Sequence, residues 1–210
     1  MVGPSSTSPA RGAAPASLRE RTRAAMRAEV SQVAFRLFAA QGFDNTTVDQ
    51  IAAEAGLSRT TFFRYFGTKE DVVLGRMCEI GHEIAAALAA RPDGERPWDS
   101  LRRAFDVITQ ADPGEPEQPQ NFMRLLSDAG ALMTRQWEKT QGWQSMLVPE
   151  ISRRLGAGPE PAGDPRARVL VASAIDCLDA AADAWRASDG ATPLSALLDQ
   201  AMGALSDLSG

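Results

Sequence analysis

The residues whose types and spacing could do chemistry lie between positions 46 and 69, and the chemistry they suggest is recognition of nucleic acid. Arg59, Thr60 and Thr61 follow Ser58 at the start of a short helical segment, where the side chains of a recognition helix reach base edges in the major groove. Arg64, Tyr65 and Lys69 come behind them as donors suited to phosphate oxygens. Thr47, at the head of the preceding segment, joins them on the phosphate side.

Such side chains need rigid elements to aim them. Thr47 and Gln50 fit a capping box, and Val48, Ile51, Ala52 and Ala55 then form one apolar face at helical spacing. Gly56 can take the left-handed backbone of a tight turn, Leu57 packs under the corner, and Ser58 caps a second helix beginning at Arg59. Two short helices joined by a glycine turn make a helix-turn-helix. An ordinary helical hairpin has the same spacing, but it has no need of so many donors gathered at one end of its second helix.

The stretches Ala34-Phe-Arg-Leu-Phe38, Gln41-Gly-Phe-Asp-Asn-Thr-Thr-Val48, Ile51-Ala-Ala-Glu-Ala-Gly-Leu-Ser58 and Phe62-Phe-Arg-Tyr-Phe-Gly-Thr-Lys-Glu-Asp71 resemble the N-terminal signature of the TetR family of bacterial transcriptional regulators. The resemblance covers residues 18 to 77. It implies a phosphate contact at Phe63 and at Tyr65, although the family usually has tyrosine at the first place and often histidine at the second. Phe63 therefore lacks the hydroxyl that the resemblance implies, while Tyr65 keeps one.

Composition bounds the rest. The 210 residues are 44% hydrophobic, enough for a sizeable core. No apolar run reaches spanning length and the N-terminus lacks a signal-peptide core, which predicts a cytoplasmic protein with no membrane partner. The net charge of −5 is unevenly divided. Residues 1 to 76 hold ten Lys and Arg against seven Asp and Glu, or +3, leaving −8 for residues 77 to 210. A weakly basic head on an acidic body suits local phosphate contacts with little non-specific binding. Cys78 and Cys177 are far apart, with His82 as the sole histidine, so neither a metal site nor a cofactor is expected, and both thiols read as buried or half-buried. A single histidine, no nucleophile elbow and no phosphate-cradling glycine loop also argue against an enzyme.

Along the chain, residues 1 to 17 read as a disordered tail of Ser, Pro, Ala and Gly. A helix from Leu18 to Gln41 with Met26, Val30, Val33, Ala34, Leu37 and Phe38 on its inner stripe braces the reading head. Its Arg23 and Arg27 are candidates for phosphate contact. Thr68 and Asp71 begin a fourth helix that runs toward Pro92 and joins the head, residues 18 to 77, to a body, residues 78 to 210. The body reads as a helix from Trp98 to Gln110, segments carrying Phe122 to Met133 and Trp137 to Ile151 with a break or kink at Pro149, and closing helices over 165 to 187 and 193 to 208.

The expected fold is therefore all-α, with an N-terminal three-helix helix-turn-helix domain and a C-terminal helical effector-binding and dimerisation domain. One reading head covers few bases, so a two-fold homodimer is expected, with Leu178, Trp185, Leu194, Leu197, Leu198, Ala201 and Leu205 as its interface. The competing reading is that these residues finish the monomer core. Phe105, Phe122, Met123, Met133, Trp137, Trp143, Met146 and Trp185, with Asp179 as a polar anchor, are candidate lining for a small hydrophobic effector, against the alternative that they are ordinary core. The expected function is a DNA-binding transcriptional repressor, released from double-stranded operator DNA by that effector. The alternatives are a helical interaction module, or a DNA-binding protein without small-molecule control.

Overall fold

The computed structural model describes residues 17–110, 130–156 and 165–207, the side chains of residues 20, 130–140 and 207 excepted. The proposed tail falls outside these residues apart from Ser17. The head begins with α1, Leu18–Gln41, which ends at Gly42 with φ of 85°. Of the stripe read from the sequence, Val30, Val33, Ala34 and Phe38 are buried, while Met26 and Leu37 are half-buried against the same cluster. Helix α2, Val48–Glu54, starts in a reciprocal capping box between Thr47 and Gln50. It stops in a Schellman turn, in which Leu57 N donates to Ala52 O at 2.8 Å and Gly56 N to Ala53 O at 3.1 Å, with Gly56 at φ 66°. Ser58 then caps α3, Arg59–Tyr65, by accepting from Thr61 N at 3.1 Å. These caps satisfy the orphan donors of helices too short to persist on propensity alone.

Helix α4, Lys69–Ala89, opens with a second capping box, Thr68 with Asp71. Two apolar clusters meet along it. Val72, Val73 and Met77 close the head cluster with Phe38, Phe43, Ile51, Phe62 and Phe66, while Ile80, Ile84 and Leu88 belong to the cluster of the body. The body continues with α5, Pro97–Ala104, α6, Asp106–Thr109, α7, Gly130–Arg154, α8, Pro165–Ala187, and α9, Leu194–Asp207. The helix expected over 98 to 110 is thus two short ones, meeting at the fully buried Phe105. Helix α7 is not broken at Pro149. The residue lies on its exposed side, where water can take the Ser145 carbonyl that proline leaves without a donor.

Helix α4 is fastened to α7 at two levels. Near the head, the Trp143 indole donates to Met77 O at 2.9 Å and lies over Gly81 so closely that a Cβ there would stand 2.6 Å from Trp143 Cδ1. At the far end the Arg154 guanidinium, its side chain 1% exposed, donates to the carbonyls of Leu88, Arg91 and Pro92 at 2.9 Å each. It also reaches Ser100 Oγ at 3.3 Å and Glu150 at 2.8 Å. A cation placed on the last carbonyls of a helix complements its negative end.

The apolar stripes of α8 and α9 serve the core of the single chain. Leu178, Trp185, Leu194 and Leu198, expected at a dimer interface, are all buried inside the body with Val171, Ile175 and Met202. An apolar stripe says that a face is covered without saying by what, and here neighbouring helices of the same chain cover it. Leu197 and Ala201 are half-buried and Leu205 is exposed, so these three keep accessible surface. Of the thiols, Cys177 is buried, which pushes its pKa up, but Cys78 is exposed rather than half-buried.

Candidate nucleic-acid interface

Helix α3 has one face rooted and one face open. Phe62, fully buried, and Phe66 tie it into the head cluster. Arg59, Thr60, Phe63 and Arg64 are exposed, with Thr61 and Tyr65 half-buried beside them. Phe63, where the resemblance implies a phosphate contact, is 44% exposed and lies on the open face. Its ring is met edge-on by Phe62 at 5.8 Å, and the Arg59 guanidinium stands over it at 5.5 Å. The same guanidinium donates from Nη1 to Asp49 Oδ2, 2.9 Å away on α2. Arg64 stacks over the Tyr65 ring at 5.4 Å. Thr47 is exposed at the head of α2, its hydroxyl shared between Gln50 N and Gln50 Oε1.

Two basic residues expected near phosphates are engaged by main-chain carbonyls of the head. The Lys69 ammonium donates to Phe43 O at 2.6 Å, Thr46 O at 3.0 Å and Asp44 O at 3.3 Å, and lies 4.3 Å from the centre of the Phe43 ring. An ammonium has three donors, and three carbonyls of the α1–α2 turn take them. Lys69 therefore braces the head, with its ammonium engaged by main-chain carbonyls. Arg27 donates to Tyr65 O at 2.8 Å and covers the Phe66 ring at 5.3 Å, so it caps the C-terminus of α3 from α1. Sequence spacing hid both roles, since the acceptors are main-chain carbonyls 23 to 38 residues away.

The residues grouped as effector lining separate. Phe105, Trp143 and Trp185 are buried in the body's cluster, and Met146 is half-buried where a Gly81 Cβ would come within 3.0 Å of its sulfur. Asp179 is half-buried on α8. Phe122 and Met123 lie outside the described residues, as do the side chains of Met133 and Trp137 on α7.

A capped helix-turn-helix with an open, cation-bearing second helix, carried on a long helix into a separate helical body, defines a DNA-binding transcriptional regulator rather than an enzyme. Residues 31–75 match the model for bacterial regulatory proteins of the tetR family, and residues 95–208 match the MftR C-terminal domain. The chain belongs to the TetR family of transcriptional regulators. It is 32% identical over 164 residues to the HTH-type transcriptional regulator TcmR of Streptomyces glaucescens, covering 75% of this chain and 73% of that one. Its fold is similar to the fatty acid degradation regulator FadR from Bacillus halodurans, with a TM-score of 0.58 at 17% identity, covering 84% of this chain and 92% of that one. It is also similar to the Thermus thermophilus repressor FadR solved with lauroyl-CoA, with a TM-score of 0.53 at 24% identity, covering 84% and 91%.

Proposed function

We propose that this regulator is a homodimeric repressor in which residues 18 to 77 read operator DNA and residues 78 to 210 dimerise and bind a hydrophobic effector. The observation that carries the reading is the two-sidedness of α3, with Phe62 buried and Arg59, Thr60, Phe63 and Arg64 turned outward. Arg59, Thr60 and Thr61 meet base edges, while Thr47, Arg64 and Tyr65 flank the phosphates. Phe63 has no donor to offer a phosphate and instead gives an apolar surface to a sugar or a thymine methyl. The partner surface falls to what the body leaves open, namely Val169, Ala180, Ala184 and Ala187 of α8 with Leu197, Ala201 and Leu205 of α9. Small residues let helices approach closely, and a two-fold axis doubles the site read.

The effector reading rests on the large apolar side chains gathered where α4 meets α7, Trp143 and Met146 among them. The lauroyl-CoA held by the Thermus protein is an example, on a similar fold, of the acyl class we favour. Among the described residues no helix is long and apolar enough to cross a membrane, and operator binding would place the protein in the cytoplasm.

The test is a gel-shift titration of the DNA upstream of the protein's own gene against competitor, repeated over a salt series. Specific binding that weakens as salt rises is expected. Equal binding to competitor would favour an interaction module. Acyl compounds that bind the body must lower operator affinity by the factor by which operator lowers theirs, and tight binding without that loss would remove the effector role.

A further inference from the structure

Two arginines of α3 are treated differently by their surroundings. Arg64 has no carboxylate within salt-bridge distance among the described residues, so its charge is free to meet a phosphate. Arg59 is engaged on two sides, by Asp49 at Nη1 and by the Phe63 ring, whose centre lies 5.5 Å from the guanidinium carbon. Its Nε–Nη2 edge has no hydrogen-bond partner among the described residues. That edge is a two-donor fork of the kind that matches O6 and N7 of guanine. Asp49 itself lies in the first turn of α2, where a carboxylate also suits the helix dipole.

We propose that Asp49 and Phe63 are specificity-positioning residues, which hold Arg59 as a guanine-reading fork and keep it from serving as a phosphate anchor. The inference rests on the reading that α3 enters the major groove. A guanidinium paired with a carboxylate presents little net charge, so it adds little to the counterion release that drives binding to any sequence. The exposed pair is also weak, with side chains 60% and 66% exposed, so it restrains Arg59 without locking it. Because the guanidinium is already restrained by Asp49 and the Phe63 ring, a guanine in register gains two hydrogen bonds at reduced ordering cost, whereas a phosphate must compete with Asp49. The acidic residue on a DNA-facing surface thus lowers affinity for wrong sites more than for the right one, a form of discrimination by repulsion.

The experiment compares wild type, Asp49→Asn, Asp44→Asn, Arg59→Ala and the double variant Asp49→Asn with Arg59→Ala. Dissociation constants are measured on the duplex that wild type selects from a random pool and on a scrambled duplex of equal length. Asp44 is an exposed acid of the same head with no ion pair to Arg59, so it controls for charge alone. Asp49→Asn should bind scrambled DNA more tightly and lower the specificity ratio roughly tenfold, within the range one bidentate contact supplies. The slope of log affinity against log salt on scrambled DNA should steepen by about 0.9 per head, as Arg59 takes up a phosphate. Asp44→Asn should shift both affinities alike, and the effect of Asp49→Asn on the ratio should vanish when Arg59 is absent. An unchanged ratio in Asp49→Asn, or an equal drop without Arg59, overturns the proposal while leaving DNA reading intact. Failure of wild type to select any duplex overturns the DNA reading itself, and the proposal with it.

Discussion

Replacing Arg154 with alanine should be the most costly single change in the body outside its apolar core. The side chain is 1% exposed and donates to three main-chain carbonyls, one hydroxyl and one carboxylate. These losses are unequal. The Pro92 carbonyl lies at an exposed loop and rehydrates, and Glu150 keeps Arg153 at 2.7 Å. The Leu88 and Arg91 carbonyls are more enclosed, and leaving each without a donor costs about 1–3 kcal/mol. Their sum agrees with the about 3–5 kcal/mol expected when one partner of a buried ionic cluster is removed. Urea unfolding at fixed protein concentration should therefore lower the stability by that amount, with a fall in Tm of roughly 6–20 °C at about 2–4 °C per kcal/mol. Arg154→Lys restores the charge without the planar fork and should recover only about half of the loss. If Arg154→Ala stays within about 1 kcal/mol of wild type, water already satisfies these carbonyls and the clamp holds nothing.

Lys69→Met should cost about 1–3 kcal/mol in denaturant without DNA, because three carbonyls lose their donor. Its salt slope on operator should stay unchanged, whereas loss of a phosphate contact would reduce the slope by about 0.9. Gly81→Ala gains at most about 1 kcal/mol of helix propensity, yet puts a methyl 2.6 Å from the buried Trp143 ring, so stability should fall by about 1–2 kcal/mol net in thermal melts. The Glu95 carboxyl is held down to about 2, first by its hydrogen bond from Arg91 and further by Ser100 and Arg103. A lowered pKa stabilises above the ordinary value of 4.5 and is lost as pH falls from there toward about 2. Glu95→Gln should therefore flatten that part of the acid-unfolding curve, and an identical curve would contradict the assignment.

Local chemistry was legible in the sequence where cause and effect lie within a turn or two. The Thr47–Gln50 capping box, the helix start at Thr68 and Asp71, the Gly56 turn and the Ser58 cap could be read from residues three or four apart, and the stripe over 165 to 187 marked α8 to its ends. Contacts made across the fold were not. Arg154 reaches carbonyls 62 to 66 residues away, and Lys69 finds its acceptors in the turn after α1. A main-chain carbonyl is the same in every residue, so no side chain announces it as a partner. The same limit explains Leu178, Trp185 and Leu198, whose spacing declared a buried face without naming its cover. On the open face of α3, Arg59 and Thr60 were foreseeable as exposed, but the engagement of Arg59 by Asp49 needs the angle between α2 and α3.

The two fastenings of α4 give it the proportions of a lever. Arg154 holds the helix at Leu88 and Trp143 touches it at Met77, while Lys69, at the opposite tip, is bonded to the turn of the head. At about 1.5 Å per residue, the contact at Met77 lies roughly 17 Å from the fulcrum and the tip roughly 29 Å. If α4 pivots at Leu88 in the proposed release from operator, a sideways push of about 1 Å at the Trp143 contact would become roughly 1.7 Å at the head. In a two-fold pair with both tips moving apart, the separation would change by about 3.4 Å, which is the rise of one base-pair step. Under that proposal the gain would follow residue spacing along α4, so inserting a turn between Met77 and Leu88 would change how far the heads move for the same push.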